Sequence, residues 1–222
     1  SGFHSDQRYF ANAVHDEALA RLRYLIGNRH GFGLLLGAAG SGKSLLLQTL
    51  SNELSRQGHL VVLCSLLGRE NSDFLDELAT GLGCFPDGTA STGSLWRAIT
   101  DRLRENRYQQ RATVILLDDA DEAEMDVLTS VTRLVQTDPV PTSQLTIVAA
   151  AHQSRCQLLG PRLKELCELR IELESWTHDE VDRFLSLHLR VPGRFDAQAV
   201  DRLVEITGGI PRRVAHLAEL SL

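Results

Sequence analysis

The run Gly37-Ala38-Ala39-Gly40-Ser41-Gly42-Lys43-Ser44 narrows what this chain can fold into more than any other stretch of it. It fits GxxxxGK[ST], a loop whose glycines let the backbone turn tightly enough for its N–H groups to converge on phosphate oxygens. The flanks agree. Phe32 to Leu36 is an apolar run that predicts a buried strand, and Lys43 to Arg56 predicts a helix ended near Gly58. A helix starting here aims the positive end of its dipole into the loop. The expected phosphate-binding segment runs from Gly37 to Leu45. Within it, Lys43 is expected to reach the β- and γ-phosphates of a nucleotide and Ser44 to ligate Mg²⁺. Lys43 and Lys164 are the only lysines in 222 residues, so Lys43 stands out among arginines.

Such a loop works with an acid at the tip of a neighbouring strand. Val114-Ile115-Leu116-Leu117 leads into Asp118-Asp119 and supplies it. Asp118 is expected to hold Mg²⁺ through water, and Asp119 to polarise the attacking water. Asp121 and Glu122 are read as opening the next helix, where acids suit the dipole. A third element, Gly208-Gly209-Ile210-Pro211-Arg212, predicts a late helix with Pro211 in its first turn. Its Arg212 can swing back onto phosphate, which a permanently charged, planar guanidinium suits.

Leu19, Leu22, Leu25 and Ile26 at helical spacing predict a helix over Asp16 to Asn28. Further strands are expected at Leu60 to Cys64, Thr113 to Leu117, Leu145 to Ala150 and Glu168 to Leu173, the last alternating like an edge strand. Helices are expected at 73–82, 95–106, 122–136 and 160–167, with a turn-rich loop over 86–93. This alternation predicts an α/β fold, a five-stranded parallel sheet between helices. After Ser175 no strand pattern remains. Thr177 to Glu180 reads as a capping box and Asp196 as a helix cap. The expected division is an α/β core over 1–175, with an N-terminal helix, and a small all-helical lid over 176–222.

Acidic residues outnumber basic ones, 29 to 23, for a formal charge of −6. That excludes a strong overall footprint for nucleic acid, although a local patch stays open. No apolar run approaches the roughly 18 to 20 residues of a membrane helix. Cys64, Cys84, Cys156 and Cys167 fit no common zinc spacing and read as buried reduced thiols, which points to the cytoplasm. Ser1-Gly2 reads as a tag remnant on a piece of a longer protein.

With these motifs the chain resembles the AAA+ ATPases, and more narrowly the ExeA-type ATPases of general secretion pathways. The likeness runs from Tyr9-Phe10 and His15-Asp16-Glu17-Ala18-Leu19, through the phosphate loop and acidic strand end, to Gly209-Ile210-Pro211-Arg212. It implies a P-loop NTPase core with a helical lid, ATP and Mg²⁺ as ligands, ATP hydrolysis, homo-oligomers, and a protein partner in an envelope or secretion assembly. It implies a sensor-1 residue at His152, with Gln153 beside it, and a sensor-2 role for Arg212. It implies a basic residue acting on the neighbouring subunit's ATP, Arg162 first and Lys164 or Arg170 otherwise. Tyr9, Phe10 or His15 is implied against the adenine base.

Two departures matter. Family members usually carry Glu where this chain has Asp119, which is one methylene shorter. A carboxylate misplaced by about 1 Å can slow hydrolysis on the order of 10²-fold. Members also often continue into a membrane segment and a peptidoglycan-binding part, so membrane contact is expected only through parts outside this sequence. A DNA-transaction ATPase, of the transposition or initiator kind, is the main alternative. The six basic and seven acidic residues after Ser175 offer it no positive surface there. A slow nucleotide switch is a further alternative. A small-molecule phosphoryl transferase fits the acidic strand end and helical lid less well.

Overall fold

Four apolar runs and one alternating segment become the five strands of one sheet. In the computed structural model, which describes residues 13–85, 90–137, 143–187 and 195–221, these are β1 (Phe32–Gly37), β2 (Leu60–Ser65), β3 (Thr113–Asp118), β4 (Leu145–His152) and β5 (Leu169–Leu173). All neighbours pair in parallel, in the order β2-β3-β4-β1-β5. α1 (Ala13–Gly27) precedes the sheet; parallel neighbours need crossovers, and helices supply them: α2 (Lys43–Arg56), α3 (Asn71–Gly81), α4 (Thr92–Tyr108), α5 (Met125–Val135) and α6 (Gly160–Glu165).

The period-2 alternation of a strand sends side chains to two separate cores. Leu34 and Leu36 of β1, Ile115 and Leu117 of β3 and Ile147 of β4 pack in one cluster with Phe74, Leu78, Ile99 and Val131 of α3, α4 and α5. Leu35, Val114, Leu116 and Val148 face the other way, against Leu22 and Leu25 of α1 and Leu47 and Leu50 of α2. Each fully buried leucine contributes about 1.5–3 kcal/mol. β5 is indeed at the sheet's edge, and its outward Arg170 and Glu172 are exposed.

The expected helix over 122–136 is corrected. Ala120–Glu122 forms a separate 3-10 turn, Ala123 and Glu124 are extended, and α5 begins only at Met125. β4 runs two residues past Ala150 because its end pairs with β1, to Gly37↔His152, after its ladder with β3 stops at Leu117↔Ala149. α4 starts at Thr92, three residues earlier than the apolar pattern indicated, because Ser91 caps it by accepting from Ser94 N–H. Residues 86–89 of the expected loop lie outside the described residues.

After β5, helices α7 (His178–Leu187), α8 (Ala197–Thr207) and α9 (Pro211–Leu220) enclose their own cluster, including Trp176, Val181, Phe184, Leu203 and Val214. The capping box forms reciprocally: Glu180 N–H donates to Thr177 Oγ1 at 3.4 Å and Thr177 N–H to Glu180 Oε2 at 2.9 Å. Asp196 accepts from Ala199 N–H at 2.8 Å. Among the described residues no helix is long and apolar enough to cross a membrane, and all four cysteines are free thiols.

The joint before α9 is a glycine pair with φ of +62° and +65°. Trp176 N–H donates to Gly209 O at 2.7 Å. A Cβ on Gly209 would lie 2.2 Å from Trp176 O, whereas one on Gly208 would meet nothing within 4 Å. Gly208→Ala is therefore expected to cost only the backbone strain, about 1–2 kcal/mol. Gly209→Ala is expected to cost clearly more in a denaturant melt, and equal losses would contradict this account of the joint.

Candidate nucleotide-binding site

The phosphate loop joins the buried end of β1 to the first turn of α2. Its turn needs glycine at two positions, Gly40 (φ +84°) and Gly42 (φ +99°). Both also mark close approaches. A Cβ on Gly40 would sit 2.9 Å from Arg212 Cβ, and one on Gly42 would sit 2.5 Å from His15 Nε2. Two distant segments thus press on the loop from α1 and from the start of α9.

Both contacts are hydrogen-bonded to loop carbonyls. His15 Nε2 donates to Ser41 O at 2.9 Å, and Arg212 N–H donates to Gly40 O at 3.2 Å. Neither brace takes an N–H of the loop, and Ser41 N–H closes the turn on Ala38 O at 3.1 Å. Lys43 Nζ donates to Gly37 O at 2.9 Å and Ala38 O at 3.0 Å, which arches its ammonium back over the loop. Burial lowers the lysine's pKa; Asp118, Asp121 and Asp119 oppose that, and the Arg212 charge adds to it. Ser41 Oγ is buried and has no hydrogen-bond partner among the described residues. Ala38, Ala39, Ser44 and Leu45 complete the segment, with Ser44 exposed in the first turn of α2.

Asp118 ends β3 and accepts from the backbone N–H of Asp119 at 3.0 Å. Asp119 takes the left-handed conformation, φ 53° and ψ 39°, which aspartate tolerates better than most residues. Its Oδ2 accepts from Ser65 Oγ, at the tip of β2, at 3.2 Å. Burial raises the pKa of Asp119, with the Asp118 charge next; the Ser65 bond pulls the other way. Hydroxyl and carboxylate oxygens such as those of Ser44 and Asp118 suit a hard cation like Mg²⁺. The glycine-shaped loop, with its Lys43 ammonium, suits a polyphosphate.

His152 closes β4 directly beside Gly37 in the ladder. Its Nδ1 accepts from Ser154 N–H at 3.2 Å, so a neutral ring carries its proton on Nε2. The structure brings Asp118, Asp119 and Arg212 close enough for their charges to act on Lys43, and sets His152 at the loop's origin.

Other candidates fall elsewhere. His15 braces the loop from beneath through Ser41, and Tyr9 and Phe10 lie outside the described residues. Arg162 pairs with Glu165 at 3.1 Å and lines a cavity of about 570 Å³ between α5 and α6. Lys164 donates to Gln157 at 2.8 Å, and Arg170 pairs with Glu172 at 2.7 Å. None of these three bonds to the phosphate loop among the described residues. Two participants went unread in the sequence: Ser65, which only the β2–β3 pairing places beside Asp119, and Asp121, whose acidity looked like a helix start. Asp121 is buried and accepts from His152 N–H at 2.8 Å.

Comparison with known proteins gives a consistent picture. The model of the AAA domain matches residues 26–159. The chain is 27% identical over 216 residues to general secretion pathway protein A of Aeromonas hydrophila, covering 94% of this chain but 39% of that protein. Cdc6p from Pyrobaculum aerophilum superposes with a TM-score of 0.71 at 20% identity, over 96% of this chain and 61% of that one. The Aeropyrum pernix ORC1 protein, solved in complex with DNA, gives 0.66 at 22% identity, over 95% and 60%.

The His15 bond generates a test. Burial lowers the imidazole's pKa below 6.5, against the opposing effects of the Ser41 carbonyl, of Asp16 on the same helix and of Glu180 on α7. Below pH 6.5 the unfolded chain takes a proton that the folded ring resists, so stability is full above that pH and falls as pH drops through it. His15→Gln keeps a donor without a titration. Urea melts at pH 7.5 and pH 5.5 are expected to show a smaller acid loss for the variant; equal losses would contradict the account.

Proposed function

The chain belongs to the AAA domain family, and on that premise we propose that it is an ATP-binding, Mg²⁺-dependent ATPase module of the secretion-pathway type. One observation carries the proposal: the phosphate loop is clasped between α1 and α9 through the carbonyls of Ser41 and Gly40, the carboxylates that end β3 act on its Lys43, and β4 ends beside Gly37. Lys43 and the backbone of Gly37 to Leu45 hold the phosphates, and Ser44 and Asp118 hold Mg²⁺. When bound, Mg²⁺ would neutralise charge on the phosphates. Asp119 orients the attacking water. His152 offers its Nε2 proton, and Arg212 its guanidinium, to the γ-phosphate.

Residues 1–175 act as the core and 176–222 as the lid. The lid's Arg212 is joined to the loop by its own backbone, so a change in the loop is passed to α9. Self-association would complete the site with a basic residue of a second copy, with Arg162, Lys164 and Arg170 as candidates. The module would work in the cytoplasm on a protein partner of an envelope or secretion assembly. The secretion assignment rests on a relative of which this chain spans 39%. Asp119, shorter than glutamate and turned to Ser65, supports slow turnover in the isolated module.

A DNA-transaction role is the second reading, and one surface favours it. Arg97, Arg104, Arg107 and Arg111 are exposed on or just after α4, with Tyr108 among them. Binding through that face would weaken steeply with salt.

Titration with ATP and assay of phosphate release test the main reading. Lys43→Ala is expected to weaken ATP binding about tenfold to hundredfold, since it removes a charge-assisted contact. Chelation of Mg²⁺ is expected to stop release in the native chain. Equal ATP binding by the native chain and Lys43→Ala would refute the assignment. A salt-sensitive shift of duplex DNA, lost when the α4 arginines are replaced, would favour the second reading.

A further inference from the structure

Between the tips of β3 and β4 lies a connection that the roles above leave unused. β4 projects beyond the last residue it pairs with on β3, so its final residues have no ladder partner on that side. A strand end in that position needs another acceptor for its N–H groups. Asp121 provides one. Its side chain is only 6% exposed, and its Oδ1 accepts from His152 N–H at 2.8 Å. The other oxygen faces Arg155 Nε at 3.6 Å. Arg155 also donates to Asp121 O at 3.4 Å and forks onto Glu122, with Nη2 to Oε2 at 3.1 Å. Two short turns, Ala120–Glu122 after β3 and Gln153–Leu159 after β4, are thereby locked together.

The position of the bond matters more than its strength. Asp121 sits three residues after Asp118 in the turn that sets Asp119 in its left-handed conformation. His152 is level with Gly37 at the root of the phosphate loop. The Asp121–His152 bond therefore ties the turn that carries the acids to the backbone from which the His152 ring projects. Ser154 fixes the ring's protonated edge, and Asp121 fixes where its backbone stands. Arg155 is the outer, exposed part of the same lock.

We propose that Asp121 is a positioning residue that holds His152 for the γ-phosphate, so that the site tells a nucleoside triphosphate from a diphosphate through this carboxylate. The inference rests on the ATP-binding reading and adds to it a residue that touches neither nucleotide nor metal. Without Asp121 the His152 N–H is unpaired and the end of β4 is free to shift. Nucleotide still binds through the loop and Lys43, and what is lost is the extra affinity for the terminal phosphate.

The test compares affinities for Mg²⁺ with a non-hydrolysable ATP analogue and Mg²⁺ with ADP, by competition against a fluorescent ADP, and needs no turnover. The native chain is expected to prefer the triphosphate analogue. Asp121→Ala is expected to reduce that preference about fivefold or more, with ADP affinity little changed. Asp121→Asn removes the same charge near Lys43 but keeps an acceptor for His152 N–H, so it is expected to retain the preference. This separates hydrogen bonding from a general charge effect. His152→Ala keeps the backbone bond to Asp121 and is expected to lose the preference, a result that stands even if Asp121→Ala does not fold.

An unchanged preference in Asp121→Ala or in His152→Ala would overturn the inference, as would its loss in Asp121→Asn or its lack in a native chain that binds both nucleotides. A native chain that binds neither nucleotide would instead overturn the ATP-binding reading on which it rests.

Discussion

A glycine-rich loop of this kind recognises phosphate with its backbone, so everything depends on what holds that backbone in shape. Two hydrogen bonds do so from opposite sides. His15 on α1 reaches Ser41 O, and the amide of Arg212 at the start of α9 reaches Gly40 O. Both bonds end on carbonyls, so neither brace takes an N–H of the loop. Both contacts also require glycine, because a side chain at Gly40 or Gly42 would collide with the bracing residue. The loop's composition therefore answers two demands, a left-handed turn and contact with segments more than twenty residues before it and about 170 after it.

The three aspartates at and just after the end of β3 show how environment divides one residue type among several settings. Asp118 stays at the strand tip, where metal ligation suits it. Asp119 is rotated into the left-handed region and bonded to Ser65, and burial raises its pKa. Asp121 turns inward and binds the backbone of β4. A run of acids thus takes three different settings, a strand tip, a left-handed turn and a strut between strands. The shorter reach of Asp119 and its bond to Ser65 accord with the proposed slow turnover.

Much of this was legible in the sequence because it is local. The apolar runs around Phe32 and Val114 are long and dry enough to be central strands, and α2 begins and ends where Lys43 and Gly58 indicated. Thr177, Glu180 and Asp196 cap as their spacing required, since capping is decided within one turn. What was not legible depends on pairing across the sheet. Nothing near Ser65 says that β2 will lie beside β3. Nothing near Asp121 distinguishes a helix-opening acid from a buried acceptor, because the difference is made by His152, 31 residues on. His15 belonged to a recognisable stretch, yet its place beneath Ser41 follows only from how α1 packs. The AAA domain match covers 26–159 and so omits His15 and Arg212, the two braces of the loop.

If the loop and the lid are joined through Gly40 and Arg212, nucleotide must register on both. Amide hydrogen exchange over residues 37–45 and 207–215, with and without Mg²⁺ and a non-hydrolysable ATP analogue, reads this directly. The account predicts that protection rises in both segments together and over the same ligand concentration range. Protection of the phosphate loop alone, with the start of α9 unchanged, would contradict it.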